Sequence, residues 1–433
     1  MALTGTLATE TVRAESIAAG GRALARTSDG RACFIPRGAP GDLLEIEVSR
    51  DRGSWTEGRI VRVLEPGRDR RRAPCPYYDR CGGCALQHVE YEAQRSAKGG
   101  IVADALRRLG GWDAGAPDVV ASPLEWRYRS RITFTLRRLP GGRIVAGLYA
   151  RSARGRVLDV DGRCLLPYAS IASAWDSLRS AWGGGARLLP AGKELRLTLR
   201  DAGAERVVLV VRGGSSGGDA EALLEAVPAL TAIWHRRRGT DRAVRVAARA
   251  ASPPAGGGER EDPDAFEGAN AFSQVNREAA ELLGRHVRDV VRAGPGLRVV
   301  DAYAGDGVYA RSAAAEGADV AAIEREPEAV RRGRRLAPRV DFREGDVEAL
   351  LARLLPADVV VLNPPRAGIS ARVAEVLLER PPARLVYASC DPATLGRDMA
   401  RLGARFRATS ARAFDLFPQT AHVETVVELC AIT

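Results

Sequence analysis

The stretch LRVVDAYAGDGVYARSAAAEGADVAAIE, residues 297–324, limits the possible folds more than any other. A short β-branched run leads into a glycine turn and an alanine-rich helix, and a second apolar run closes on Glu324. Strand, helix and strand in that order call for a parallel pair joined by a crossover. The glycines allow a ligand close to the backbone at the helix N-terminus. An acid about 20 residues on can accept ribose hydroxyls. A nucleoside cofactor is implied, and both NAD and S-adenosylmethionine satisfy the pattern to this point.

The neighbouring segments extend the same sheet. Before it, AFSQVNREAAELLGRHVRDVV places Leu283, Val287, Val290 and Val291 at helical spacing behind Asn276 as N-cap. After it, DFREGDVEAL sets Asp346 behind a third strand, and DVVVLNPPRAG sets Asn363 at the end of a fourth. LVYASCDPATLGRD, 385–398, reads as a strand and then a helix that begins with Asp391 as N-cap and Pro392 at the first turn. Cys390 then lies at the carboxyl edge of a strand, where α/β enzymes put ligand-facing residues. The helix dipole favours a thiolate there and the Asp391 carboxylate opposes it. A buried filler is the competing role for such a cysteine. FDLFPQTAHVETVVEL ends the sheet with a strand pair bearing His422 and Glu424. Seven strands with a carboxyl-edge cleft would gather Tyr303, Glu324, Asn363, Cys390 and Glu424 around one pocket.

The first half of the chain reads differently. Residues 1–65 alternate short β-like runs with glycine turns, the pattern of a small barrel. Arg50, Arg52, Arg59 and Arg62 on its surface suit RNA or a solvated face equally. Arg68, Arg70, Arg71 and Arg72 lead into CPYYDRCGGCALQH, where Cys75, Cys81 and Cys84 are spaced C-x5-C-x2-C. Cys164, in DGRCLLP, is the best fourth thiolate for a four-coordinate site or an iron–sulfur cluster. The spacing alone does not separate zinc from iron–sulfur. Cys33 and Cys430 read as structural, and His88 as a hydrogen-bonded structural residue. From about 99 to 270 a helix is followed by strand-like runs, which predicts an antiparallel-rich α+β domain. Arg127, Arg129 and Arg131, at spacing two, could form a ladder on one strand face. Residues 252–265 have the composition of a linker.

The chain of 433 residues carries a net charge of +11, almost all of it on arginine, since Lys98 and Lys193 are its two lysines. That balance favours an acidic partner, nucleic acid first. Residues 1–16 lack an apolar signal core and no apolar run approaches 18 residues, so a cytoplasmic protein without a membrane span is expected. In that compartment seven cysteines point to metal or catalysis before disulfides.

Six motifs in order, CPYYDRCGGCALQH, FSQVN, DAYAGDG, NPPRAG, YASCDPATLGRD and FPQTAHVE, cover nearly the whole length. They resemble the S-adenosylmethionine-dependent RNA uracil-5-methyltransferases, in the larger form with an N-terminal TRAM barrel and an iron–sulfur cluster. The resemblance implies an RNA-binding barrel at 1–66, a central α+β domain at 67–270 with the cluster cysteines, and a Rossmann-like methyltransferase domain at 271–433. It implies that Cys75, Cys81, Cys84 and Cys164 hold a 4Fe-4S cluster. By the same likeness Gln274, Tyr303, Glu324 and Asn363 line the S-adenosyl-L-methionine site, Cys390 is the nucleophile and Glu424 the general base. The substrate would be rRNA rather than tRNA, methylated by a monomer. One departure stands out: the family has Asp where this chain has Asn363. Asn-Pro-Pro also suits exocyclic-amine methyltransferases, although those follow the prolines with an aromatic residue and Arg366 stands here. A non-catalytic RNA-binding protein is the third alternative.

Overall fold

The computed structural model describes residues 9–113, 115–151, 153, 155–240, 242–249 and 274–432. The 252–265 linker lies outside them, as do Phe272 and Ser273 of FSQVN. Strands β1 (Thr9–Ala18), β2 (Arg22–Arg26), β3 (Ala32–Pro36), β4 (Leu43–Asp51) and β5 (Trp55–Glu65) close into a barrel in the order β1-β2-β3-β5-β4. Alternation along each strand turns Val12, Ala14, Ala25, Cys33, Ile35, Leu44 and Ile46 inward to fill it. On the outside, the pairing of β4 with β5 sets Arg59 opposite Glu47, Arg62 opposite Glu45 and Arg50 opposite Glu57. Each of these pairs is an ion pair. Arg70, in the segment after β5, is tied back to the barrel, reaching the fully buried Asp42 at 2.6 Å. Two of the clustered arginines are therefore committed within the protein, because Arg71 also pairs with Glu125 and Glu90.

Helix α1 (Tyr91–Gly110) and the two-residue strand β6 (Val119–Val120) come next. A seven-stranded sheet is then built from β7 (Arg131–Arg138), β8 (Ile144–Tyr149), β9 (Val157–Asp159), β10 (Glu194–Asp201), β11 (Val207–Arg212), β12 (Leu230–Arg236) and β13 (Val244–Ala248). Its order is β13-β12-β11-β10-β7-β8-β9. Every pairing is antiparallel except that of β11 with β12. Helices α2 (Ala169–Ala181) and α3 (Ala220–Ala226) cover one face, over Phe134, Leu136, Leu197, Leu199, Leu209 and Val211. The arginine ladder does not form. Arg127 adopts a left-handed backbone (φ +55°) and donates to the Cys164 carbonyl, Arg129 precedes the sheet, and only Arg131 begins β7.

The last sheet alternates with helices: α4 (Arg277–Val291), β14 (Arg298–Ala302), α5 (Val308–Ala315), β15 (Asp319–Glu324), α6 (Pro327–Leu336), β16 (Asp341–Glu344), α7 (Val347–Leu354), β17 (Val359–Leu362), α8 (Ala371–Glu379), β18 (Arg384–Ser389), α9 (Pro392–Leu402), β19 (Phe406–Phe414) and β20 (Glu424–Ala431). Strand order is β16-β15-β14-β17-β18-β20-β19-β6, with β14 to β18 mutually parallel and β20 antiparallel to both neighbours. Burial on both faces explains the all-apolar β17, Val-Val-Val-Leu. Helices α4, α5 and α6 pack on one side, and α1, α7, α8 and α9 on the other.

The expected seven strands are thus eight, because β6 adds to β19 from far upstream in the chain. Helix α1 also belongs to this layer. Gly396 of α9 faces the Ala105 carbonyl so closely that a Cβ would collide with it. Lys98 of α1, fully buried, donates to Asp415 at 2.6 Å and to the Phe417 carbonyl at 3.1 Å. The central sheet leaves and rejoins this layer at one point. Ser130 donates through its N–H (2.7 Å) and hydroxyl (2.9 Å) to the Val275 carbonyl, and Asn276 Nδ2 reaches Ser122 Oγ at 3.0 Å. Among the described residues no helix is long and apolar enough to cross a membrane.

Candidate active site

The strand order reverses between β14 and β17, and the crevice outside the carboxyl ends of such strands is where open α/β sheets bind ligands. Tyr303 follows β14 there, Glu324 ends β15, Asn363 follows β17 and Cys390 follows β18. Glu424 reaches the same edge because β20 runs the other way. Cys390 is one residue beyond Ser389 and Glu424 one before Thr425, and Ser389 and Thr425 are register partners. The five residues expected around one pocket therefore share one edge of the sheet, and Gln274 lies just before the cap of α4.

The glycine turn is held open by carboxylates. Glu324 accepts the Gly305 and Glu326 N–H groups, each at 2.8 Å. Each of its oxygens keeps a lone pair for a further donor, such as a ribose hydroxyl. Asp301, fully buried, accepts the Ala310 N–H at 2.9 Å in the first turn of α5, while its other oxygen has no partner. Burial, helped by the nearby Glu324 and Asp306, pushes the Asp301 carboxyl up to about 7. Tyr303 has a left-handed backbone (φ +64°), and its buried hydroxyl also lacks a partner. Two orphaned polar atoms beside a glycine loop fit a site built for a polar ligand.

Around Cys390 the local sequence acts as expected. Asp391 caps α9 by accepting the Thr394 N–H at 2.9 Å, and Pro392 comes next. The thiol, however, is shifted up. Burial is the main cause and the Glu424 carboxylate adds to it, while Arg366, hydrogen-bonded to the sulfur, works the other way. Burial thus outweighs the pull of Arg366. Burial also pushes Glu424 up to about 7, against the pull of Arg366. A buried carboxyl near neutrality is suited to taking a proton at working pH.

Arg366 enters the sequence reading only as the residue that stands in place of an aromatic after the prolines, and its action on Cys390 and Glu424 emerges from the structure. Its loop is clamped onto α9. Thr394 Oγ1 donates to the Arg366 carbonyl at 3.0 Å, Arg397 to the Ala367 carbonyl at 2.7 Å, and the Ile369 N–H to Asp398 at 2.9 Å. The buried Asp398 also accepts from Tyr387 (2.7 Å) and Arg401 (3.1 Å). Gly368 (φ +81°) lies against Asp398, where any Cβ would clash. The backbone that carries Arg366, whose charge acts on both Cys390 and Glu424, is thereby fixed.

Cys75, Cys81, Cys84 and Cys164 line one cavity with Tyr77, Tyr78, Leu148, Val160 and Leu166. Burial raises all four thiols, Cys84 to about 12 and Cys164 to about 11. Among the described residues no group of three or more His, Cys, Asp or Glu side chains is drawn together as around a single metal ion. His88 is structural, bonded to the Tyr78 hydroxyl (2.6 Å) and the Gly38 carbonyl (3.0 Å). The cysteine loop meets the active-site segment at Gln419. The Ala85 and Leu86 N–H groups donate to the Gln419 carbonyl at 2.8 and 3.0 Å, and Gln94 brackets its N–H and side chain.

Comparison with known proteins agrees with this geometry. The family model of tRNA (Uracil-5-)-methyltransferase matches residues 349–432, which carry Asn363, Cys390 and Glu424. An uncharacterized RNA methyltransferase of Synechocystis sp. is 32% identical over 93% of this chain and 91% of its own. A 23S rRNA (uracil(1939)-C(5))-methyltransferase of Azoarcus sp. is 29% identical over 95% of this chain and 97% of its own. The crystal structure of a Pyrococcus abyssi tRNA (uracil-54, C5)-methyltransferase with S-adenosyl-L-homocysteine has the same fold, at a TM-score of 0.69 and 22% identity over 97% of this chain and 100% of that one. With a switch-point crevice, a cysteine and a carboxyl side by side at its edge, and relatives aligned from end to end, the chain belongs to the S-adenosylmethionine-dependent RNA (uracil-5-)-methyltransferases.

Proposed function

We propose that the chain methylates carbon 5 of one uridine in structured ribosomal RNA through a covalent bond between Cys390 and uracil carbon 6. The observation that carries this is the placement of Cys390 and Glu424 each one residue beyond the Ser389–Thr425 register pair, at one edge of the sheet. Carbon 5 of resting uracil is a poor nucleophile. Addition of the Cys390 thiolate to carbon 6 gives an enolate, and its carbon 5 takes the methyl from the sulfonium. Glu424 then removes the carbon 5 proton, and the electron pair expels the thiolate. Arg366 offsets the negative charge of thiolate and carboxylate together. Gln274, Tyr303, Glu324 and Asn363 bind the methyl donor in this reading, and the uridine leaves its stack to reach the crevice. Both a ribosomal RNA and a transfer RNA enzyme match end to end, and the higher identity of the former, 29% against 22%, supports ribosomal RNA. The protein then acts in the cytoplasm, as a monomer, on RNA.

The test is methyl transfer from labelled S-adenosylmethionine to ribosomal and transfer RNA, followed by nucleoside mass spectrometry. Label as 5-methyluridine from ribosomal RNA is expected. Label on a base nitrogen would establish amine chemistry, and binding without label a non-catalytic role. An amide at 363 keeps an acceptor but lacks the charge of the family's aspartate, so Asn363→Asp should match or exceed the wild-type yield. A tenfold loss would show that the amide is required here.

We also assign a 4Fe-4S cluster to Cys75, Cys81, Cys84 and Cys164. A single zinc would draw its sulfurs to about 2.3 Å from one centre. A cluster puts its own irons and sulfides between the thiolates, and four cysteines that line one cavity suit it. Bound there, it would cross-link the 75–84 loop to Cys164, and redox-neutral methyl transfer takes no electrons from it. Protein purified without oxygen should be brown and contain about four irons per chain. Colourless protein with one zinc per chain would refute the assignment.

A further inference from the structure

The loop of residues 415–423 joins Phe414 to Glu424, which are register partners on β19 and β20. Segments far upstream grip it. Lys98 holds Asp415 and the Phe417 carbonyl, and the Tyr128 hydroxyl donates to the Pro418 carbonyl at 3.0 Å. The grip is densest at Gln419. Its carbonyl accepts the Ala85 and Leu86 N–H groups, and its own N–H donates to Gln94 Oε1 at 3.0 Å. Its side-chain Oε1 accepts from Gln94 Nε2 at 3.1 Å, and its Nε2 donates to Glu125 Oε1 at 3.0 Å. Gln419 is fully buried and has a left-handed backbone (φ +69°). A residue other than glycine keeps that conformation only where its surroundings over-determine it, and such positions cluster at functional sites.

Both ends of this grip matter chemically. Upstream, Ala85 and Leu86 directly follow Cys84, and the next residue, Gln87, accepts the Cys75 N–H through Oε1 at 3.3 Å. The peptide that seats Gln419 is thus the one that closes the cysteine cavity. Downstream, the loop flanks the crevice, since the Arg366 charge and burial together lower His422. It then delivers Glu424, which is 5% exposed. The groups whose charge meets that carboxyl are Arg366 after β17, Cys390 after β18 and Tyr309 on α5. Full burial keeps Gln419 itself from touching RNA, so any effect on the reaction passes through its partners.

Resting on the uridine-methylation reading, we propose that Gln419 is a positioning residue: it docks the loop before Glu424 onto the peptide after Cys84, so that an ordered cysteine loop holds the base in place. The cysteine loop then acts on turnover and not on RNA affinity.

The experiment combines methylation kinetics of the full-length protein on a large-subunit ribosomal RNA transcript, across a range of pH, with amide hydrogen exchange of the free protein. Gln419→Gly accepts the left-handed backbone without strain and removes only the side-chain bonds. It should lower kcat about 10- to 100-fold, the scale of a misplaced catalytic group, with KM and the RNA Kd unchanged. Its pH inflection should fall from about 7 toward the ordinary carboxylate range as water reaches Glu424. Residues 415–423 should exchange faster, while β18 and the rest of β20 keep wild-type protection.

Gln419→Glu should be impaired too, because its carboxylate meets that of Glu125. Adding Glu125→Gln should restore kcat by rebuilding the amide–carboxylate pair in reverse, and this swap reads the same contact should the glycine variant not fold. Cys84→Ser should raise exchange over 75–86 and 415–423 together. A rise confined to the first segment would overturn the coupling. Wild-type kcat and inflection in the glycine variant would overturn the positioning role, as would a weaker Kd with kcat intact. Because exchange is measured without RNA, coupled loops in a protein that makes no 5-methyluridine would sink the uridine reading and leave the coupling standing.

Discussion

Cys390→Ala should stop methylation of uridine, with a fall on the order of 10⁴–10⁶, the scale for removing a covalent nucleophile. The crevice itself makes the effect large. Arg366 and Glu424 are the charged groups that act on the Cys390 thiol, and no second cysteine stands at this edge of the sheet among the described residues. RNA with 5-fluorouridine at the target removes the proton that Glu424 must take. The methylated adduct should then persist, and protein and RNA should migrate together through denaturing electrophoresis. Cys390→Ala should show no such band. If that variant still forms 5-methyluridine, the thiol is not the nucleophile.

Glu424→Gln should separate the two halves of the reaction. Addition and methyl transfer proceed, elimination stalls, and the adduct accumulates with ordinary uridine. The turnover loss should be about 10²–10⁴. The wild-type rate should rise with pH through about 7 as Glu424 loses its proton, and the glutamine variant should lose that inflection. Stability should move the opposite way. The folded carboxyl holds its proton up to about 7, while the unfolded one releases it near 4.5. The native state therefore binds more protons between those values, and stability falls as pH rises through this window. Glu424→Gln removes that penalty, so it should be more stable than wild type above pH 7, by roughly 3 kcal/mol at most. Turnover at the wild-type rate, or a melting temperature below wild type at pH 8, would remove Glu424 from the role of buried base.

Much of this site could be read from the residues alone, wherever a local rule dominates. Asp391-Pro392 starts a helix whatever surrounds it, and this fixes Cys390 at a strand edge. Asn276 caps α4 for the same reason. What the sequence concealed depends on long-range neighbours. Strand β6 has two residues, too few for any periodicity to register, and pairs with β19 only because α1 packs on α9. Arg127, Arg129 and Arg131 alternate like a strand, but a left-handed residue breaks the run before β7 begins. The upward shift of Cys390 comes from burial of the thiol and from Glu424 on another strand, neither of which the local sequence shows. Arg366 could be assigned only when its loop was seen clamped by Asp398. The barrel arginines suited RNA and a solvated face equally because their glutamate partners lie on another strand.

The hydrogen bonds joining Ser122 and Ser130 to Val275 and Asn276 mean that the central sheet is spliced into the methyltransferase layer with its two ends touching. A segment whose ends meet can be lengthened, shortened or exchanged as a cassette while the host sheet keeps its geometry, since closure entropy grows only slowly with loop length. The central sheet and the methyl chemistry can therefore evolve separately in this architecture. Natural relatives should vary most between these two anchor points, and a catalytic fragment that starts at 271 would lack β6, α1 and the cation that neutralises Asp415.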